Sequence, residues 1–167
     1  RNRPSNNQSL ERSLLETFEK KDIQKVVQAK ALELCRAVQT RRFRAGYPVS
    51  TLSSALVYMD HRVCRVPMTL AECAGTSATE RKRVVHCYEK LCRKLEMNVP
   101  TFKSNDYLSD LARKMETDDN TKAIAKKILE TARLKRVFGG SRPIGVAAAG
   151  LYVAGSITGN RITQKDL

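Results

Sequence analysis

The chain has 167 residues, 41% of them hydrophobic, enough to build the core of one domain or of two small ones. Lys and Arg outnumber Asp and Glu by 31 to 17, a formal net charge of +14, and residues 1–97 carry 19 of those cations against 10 acids, the remainder 12 against 7. A surplus present in both halves points to a polyanionic or strongly acidic partner and away from a merely basic tail. No signal peptide is recognised, and the apolar run from Ile144 to Ile157 is shorter than the roughly 20 residues a bilayer span needs. Five cysteines, Cys35, Cys64, Cys73, Cys87 and Cys92, form no CxxC pair, and their odd count argues against a closed disulfide framework. They read as buried reduced thiols of a nuclear or cytosolic protein.

Residues 1–8 have linker composition, and the chain opens without Met, as a piece of a longer protein would. From Ser9 to Lys21 the spacing of Leu10, Leu14 and Phe18 predicts one face of an amphipathic helix. A second helix is predicted from Ile23 to Arg42, carrying Val27, Ala31, Leu34 and Val38 and stopped by Gly46 and Pro48. Val49 to His61 is an apolar central helix. Thr69 with Glu72 and Ser77 with Glu80 each have capping-box spacing, and Ala74-Gly75-Thr76 makes the turn between them. A short helix, a glycine turn and a longer helix predict a helix-turn-helix. The long helix sets Val84, Tyr88, Leu91 and Leu95 on one face, with Arg81, Lys82, His86, Lys90 and Arg93 over much of the rest.

Residues 98–103, around Asn98-Val99-Pro100-Thr101, break the helical pattern and read as a linker between residues 9–97 and 104–167. Helices are then predicted from Ser104 to Met115 and from Asn120 to Phe138, followed by the turn Gly139-Gly140-Ser141-Arg142-Pro143. The next run, RPIGVAAAGLYVAGSITGNRITQKDL, starts with a helix small and apolar enough to be buried on every side. Gly150 within it costs roughly 1 kcal/mol relative to Ala, which a close neighbouring backbone would explain. Aligning Ala149-Gly150-Leu151-Tyr152 on Ala55-Leu56-Val57-Tyr58 sets Val146 on Leu52 and Thr163 on Thr69, an offset of 94 positions. The same domain-sized helical unit thus occurs twice, the second copy ending as its own helix-turn-helix begins, about 25 residues short.

Catalytic chemistry finds no support in these residues. His86 is surrounded by cations and has no nucleophile or carboxylate partner suited to acid–base work. His61 with Cys64, or Cys73 with His86, gives no metal-ligand pattern, and the paired glycines at 139–140 follow no strand and precede no GK[ST]. The chain reads as a binding protein and not an enzyme, with no cofactor of its own.

Two tandem five-helix units, the first carrying LSSALVYMDHRVCRVPMTLAECA and the second the Arg142–Leu167 run, resemble the core of the general transcription factor IIB family. That family includes the archaeal factor TFB. The resemblance implies an all-α fold of two cyclin-like repeats, the second truncated, and a likeness to a divergent member. It also implies the function. Such a core holds a complex of TATA-binding protein (TBP) with promoter DNA and bridges it to RNA polymerase, acting as a monomer in the nucleus, or in the cytoplasm of an archaeon. Cyclin-like repeats also occur in kinase regulators, so a cyclin-type subunit docking on a kinase is the alternative. A zinc ribbon is implied upstream of these repeats.

The resemblance also implies sites. Arg62, Arg81 and Lys82 match the cations that meet an acidic edge of TBP. Arg44, Arg142, Thr163, Gln164 and Lys165 match or adjoin positions that meet DNA, the last three at the start of the second helix-turn-helix. The chain departs from the family pattern at Tyr47, usually Arg, at Met68, also usually Arg, and at Ser141-Arg142, which inverts the usual order.

Overall fold

Helix signals written in the sequence govern most of the architecture, and helices are the only regular elements among the described residues. The structure, a computed structural model, describes residues 6–41, 43, 46–160 and 162–163. It divides into two units, Arg1–Pro100 and Thr101–Leu167.

The first unit contains α1 (Asn6–Lys21), α2 (Lys25–Thr40), α3 (Val49–Val63), α4 (Leu70–Ala74) and α5 (Ala78–Leu95). Helix α3 is its axis and packs against the other four. Its Ala55, Leu56, Val57 and Met59 are wholly buried, together with Leu14 of α1, Val27 of α2 and Leu91 of α5. Truncating one of those leucines to Ala would cost about 2–5 kcal/mol through lost transfer energy and the cavity left behind. The Thr69–Glu72 capping box is complete: the Glu72 amide donates to Thr69 Oγ1 at 3.1 Å, and the Thr69 amide donates to Glu72 Oε2 at 2.6 Å. At α5 only the hydroxyl half forms, the Glu80 amide donating to Ser77 Oγ at 3.4 Å.

The second unit contains α6 (Ser104–Lys114), α7 (Asp119–Leu134) and α8 (Pro143–Thr158). Helix α8 packs on α6 and α7 as α3 packs on α1 and α2. Gly150 faces a side chain and not the close neighbouring backbone that its position suggests. A Cβ there would lie 2.7 Å from Leu129 Cδ2 of α7, so an Ala would press on that leucine and require it to shift. At the other end Asp118 caps α7 and ties it to α8. The Thr121 amide donates to Asp118 Oδ1 at 2.7 Å and the Thr121 hydroxyl to Oδ2 at 2.8 Å. Thr121 Oγ1 also meets Thr158 Oγ1 at 2.7 Å, and Asn160 Nδ2 donates to Asp118 Oδ2 at 3.1 Å.

Two sequence expectations are corrected here. The helix predicted to Phe138 ends at Leu134, because Arg136 turns left-handed (φ 53°) and the Val137 amide closes on the Ala132 carbonyl at 3.1 Å. Nor is α8 buried on every side. Within its unit it packs on α6 and α7, and Tyr152, Val153 and Ile157 are exposed.

Candidate functional site

Of the cations singled out in the sequence, Arg62, Arg81, Lys82 and Arg142 are described, and each lies near an α-helix end with its own geometry. Arg81 lies in the first turn of α5, half-buried, with its Nη1 donating to the Thr76 carbonyl at 2.8 Å. It thereby closes the α4–α5 turn. Lys82 and Arg83 follow it and are exposed. Arg62 is in the last turn of α3, where Nε donates to the Pro100 carbonyl at 2.8 Å. Its guanidinium carbon lies 5.8 Å from the Tyr58 ring centroid and 5.2 Å from that of Tyr88, and the two rings meet edge to face at 5.4 Å. Tyr88 is seven residues beyond Arg81 on the same face of α5, about 10 Å along the axis. Arg62, Arg81 and Lys82 are therefore carried by the α3–α5 side of the first unit, with Arg62 held by aromatic faces and by the end of the unit's own backbone.

Of the residues matched to DNA contacts, Arg142 is the exposed N-cap of α8. Its side chain does not cap the helix, which Pro143 opens. The turn before it contains Gly140 at φ 78°, and the Ser141 amide donates to the Phe138 carbonyl at 3.3 Å. Beside this turn is an open cavity of about 430 Å³ bordered by Ser104, Arg133, Arg136, Phe138 and Pro143. Thr163 is exposed. Arg44, Gln164 and Lys165 lie outside the described residues.

Sequence reasoning missed three features. Two are the contacts at the far end of α5: Lys90 Nζ lies 5.1 Å from the Tyr47 ring centroid, and Arg41 Nη1 donates to the Lys94 carbonyl at 2.8 Å. Residue spacing carries no signal for either, since each joins elements more than 40 positions apart. The third is buried. Asp60 is fully enclosed and neither carboxylate oxygen has a hydrogen-bond partner; His61 beside it is 4% exposed, with Nδ1 at 3.0 Å from the Val66 carbonyl and Nε2 without a partner. Burial pushes Asp60 up to about 8, with Lys30 opposing and Glu33 adding to the rise, and burial lowers His61. An Asp in the last turn of an apolar helix, followed by His and Arg, looks in sequence like one more polar residue at a solvated helix end.

The cysteines are free. Burial pushes Cys35 up to about 11 and Cys73 and Cys87 up to about 12, so these thiols are unreactive near neutral pH. Among the described residues no three His, Cys, Asp or Glu side chains gather as metal ligands, and no helix is long and apolar enough to cross a membrane.

Comparison with known proteins settles what this arrangement of helices belongs to. The family profile described as transcription factor TFIIB repeat matches residues 97–167. Transcription initiation factor IIB of Pyrobaculum islandicum is 31% identical over 136 residues, 81% of this chain and 41% of the relative. This chain belongs to the transcription factor IIB family. Transcription initiation factor IIB 1 of Thermoplasma volcanium is 32% identical over 130 residues, 78% of the chain and 41% of the relative. The factor IIB of Methanococcus maripaludis is 30% identical over 141 residues, 84% and 42% respectively. The chain thus spans about two fifths of the length of these relatives, and the eight helices among its described residues are the tandem cyclin-like repeats of a factor IIB core.

Proposed function

We propose that this chain is the core of a general transcription initiation factor that binds a complex of TBP with promoter DNA and bridges it to RNA polymerase. The supporting observation is a factor IIB core whose first repeat presents exposed cations at the start of α5. Lys82 is free to reach a carboxylate, and Arg81, anchored by one N–H on Thr76, has four more to offer. Arg62 has committed Nε to Pro100, so its contact to TBP uses its remaining N–H groups. On the DNA side, Arg44, Arg142, Thr163, Gln164 and Lys165 neutralise or approach phosphates, which gives the complex a steep salt dependence. The protein acts as a monomer with no catalytic step of its own. The named relatives are archaeal, which favours the cytoplasm as its compartment. No observation favours the kinase-docking alternative.

The test is a gel-shift titration on TATA-box duplex, with and without TBP, at two salt concentrations. A supershift that requires TBP and weakens steeply with salt supports the reading; equal binding with and without TBP overturns it. Reversal of both Arg81 and Lys82 to Glu should weaken the ternary complex at least tenfold, about 1.4 kcal/mol, with the helical circular dichroism retained. Normal assembly of that double variant would remove the TBP contact from these residues.

A further inference from the structure

Where α5 ends, Glu96 takes a left-handed φ of 55° and the Met97 amide closes on the Cys92 carbonyl at 3.0 Å, which turns the chain off the helix. The segment that follows is tied back to the first unit by Val99, whose side chain packs against the core, and by Arg62 Nε, which donates to the Pro100 carbonyl at 2.8 Å. Proline fixes its own φ and biases Val99 before it toward extended backbone. One bond to this carbonyl therefore restrains a stretch that is already stiff.

The donor is itself held by aromatic rings. Tyr58, one helical turn before Arg62 on α3, lies 5.8 Å from the guanidinium carbon and Tyr88 of α5 lies 5.2 Å from it. Burial raises the Tyr88 hydroxyl above its usual range, so this ring stays neutral and meets the cation through its π face. No acid lies within 4.0 Å of Arg62 among the described residues, so rings and one carbonyl hold a half-buried cation without a carboxylate. Four of its five N–H groups are left for an outside acceptor. Lysine would supply the charge but not this arrangement, because only a planar guanidinium can lie against rings while donating sideways to a carbonyl.

We infer that Arg62 is a clasp on the segment leaving the first unit: Tyr58 and Tyr88 position its guanidinium on Pro100, and the order of that segment is thereby linked to the affinity of the same guanidinium for a partner's carboxylate. The inference rests on the reading that Arg62 faces TBP and extends it to the chain's own backbone. Both contacts belong to one side chain, and Nε serves the carbonyl while the other N–H groups serve the acid, so the two reinforce each other. By reciprocity, a bound carboxylate tightens the hold on Pro100 to the extent that the hold on Pro100 favours the carboxylate. A long side chain otherwise loses its rotamer freedom only on binding. Restraining it beforehand on two rings is worth about threefold to tenfold in affinity. Tyr58 and Tyr88 act through Arg62 and are positioning residues.

The experiment has two readouts on the parent chain, Arg62→Lys, Tyr88→Leu, Tyr88→Phe and the R62K/Y88L double variant. The first is the rate of tryptic cleavage after Lys103, an exposed residue just beyond Pro100, which follows the population of the open segment. R62K and Y88L should be cleaved faster than the parent, and Y88F, which keeps the ring, at the parent rate. The second is affinity for TBP-bound TATA duplex by fluorescence anisotropy. R62K keeps the charge yet should bind about threefold to tenfold more weakly, Y88L likewise, and the double variant no more weakly than the worse single one, because Tyr88 acts through Arg62. Cleavage of R62K at the parent rate overturns the inference, as do losses that add in the double variant or R62K binding as tightly as the parent. If the parent chain binds no better with TBP than without, the adaptor reading falls, and the cleavage series still decides the clasp.

Discussion

Replacing Asp60 by Asn should change how the stability of the first repeat depends on pH. The carboxyl is fully buried in α3 without a hydrogen-bond partner; Lys30 and Glu33 face it from α2, with His61 and Cys64 near it on its own helix. Burial raises it from 3.8 to about 8. The folded chain therefore keeps a proton that the unfolded chain releases, and between these two values stability falls as pH rises. Each unit costs about 1.4 kcal/mol, so the penalty relative to acid reaches about 4 kcal/mol at pH 7 and levels off above 8. The amide keeps the shape of the protonated acid and does not titrate. Urea unfolding of both proteins, followed by far-UV circular dichroism, should give a stability difference in favour of D60N that grows by about 3 kcal/mol from pH 5 to 7.5. The depressed His61 acts with opposite sign, losing stability as pH falls below 6.5, and it cancels in the difference. A difference that stays flat across this range would mean that Asp60 is ionised in the folded chain, and the argument from its burial would be wrong.

Two further perturbations test the packing. Gly150→Ala should gain about 1 kcal/mol of helix propensity but lose more by pressing a methyl onto Leu129, a net loss of about 1 kcal/mol. Gly145→Ala, on the same helix with open space around it, should be stabilising, and thermal melts of the two variants should move in opposite directions. Native-state titration with a thiol reagent should find Cys64 and Cys92 accessible and leave Cys35, Cys73 and Cys87 unmodified until the chain unfolds. Raising the pH to about 9 should not expose that trio, since burial holds each of them at about 11 or 12; fast reaction of all five would refute the packing of α3 against α2 and α5.

Features that depend on local spacing were legible before any coordinates. The Leu10–Leu14–Phe18 stripe, the Thr69–Glu72 box and the small-residue run of α8 act within a helical turn or two, and the structure contains all three. Helix ends were less legible because, apart from Gly75 after α4 and Gly159 after α8, the chain does not mark them with glycine. Asp22, Arg65, Glu96, Glu116 and Arg136 all take a positive φ just past a helix, and amides such as Met97 and Thr117 close back on Cys92 and Ala112. A charged residue in that conformation looks in sequence like one more solvated helix position, so the helical pattern of α7 runs four residues past its end at Leu134. Contacts between distant segments left no trace at all. Arg62 could be placed on a cationic surface from its type, but its stacking on Tyr58 and Tyr88 and its bond to Pro100 need the fold.

The internal repeat explains why the first unit carries an uncompensated acid. At an offset of 94, Val27, Asp60, His61, Cys64 and Val66 correspond to Thr121, Ala154, Gly155, Thr158 and Asn160. In the second unit the polar members lie where α7 begins and α8 ends, and they satisfy one another: Thr121 with Thr158 and Asp118, Asp118 with Asn160. Gly155 has no side chain, and the Asn160 carbonyl comes within 2.7 Å of where its Cβ would be. In the first unit His61 fills that place and reaches the equivalent carbonyl, of Val66, with its ring. Its neighbour Asp60, where the second unit has Ala, then has no such partner and stays in the core as a neutral acid. An apolar residue there would pack without cost, as Ala154 does. The burden of the buried acid therefore lies on the α2–α3 contact, and the same helix pair in the second unit, α7–α8, is free of it.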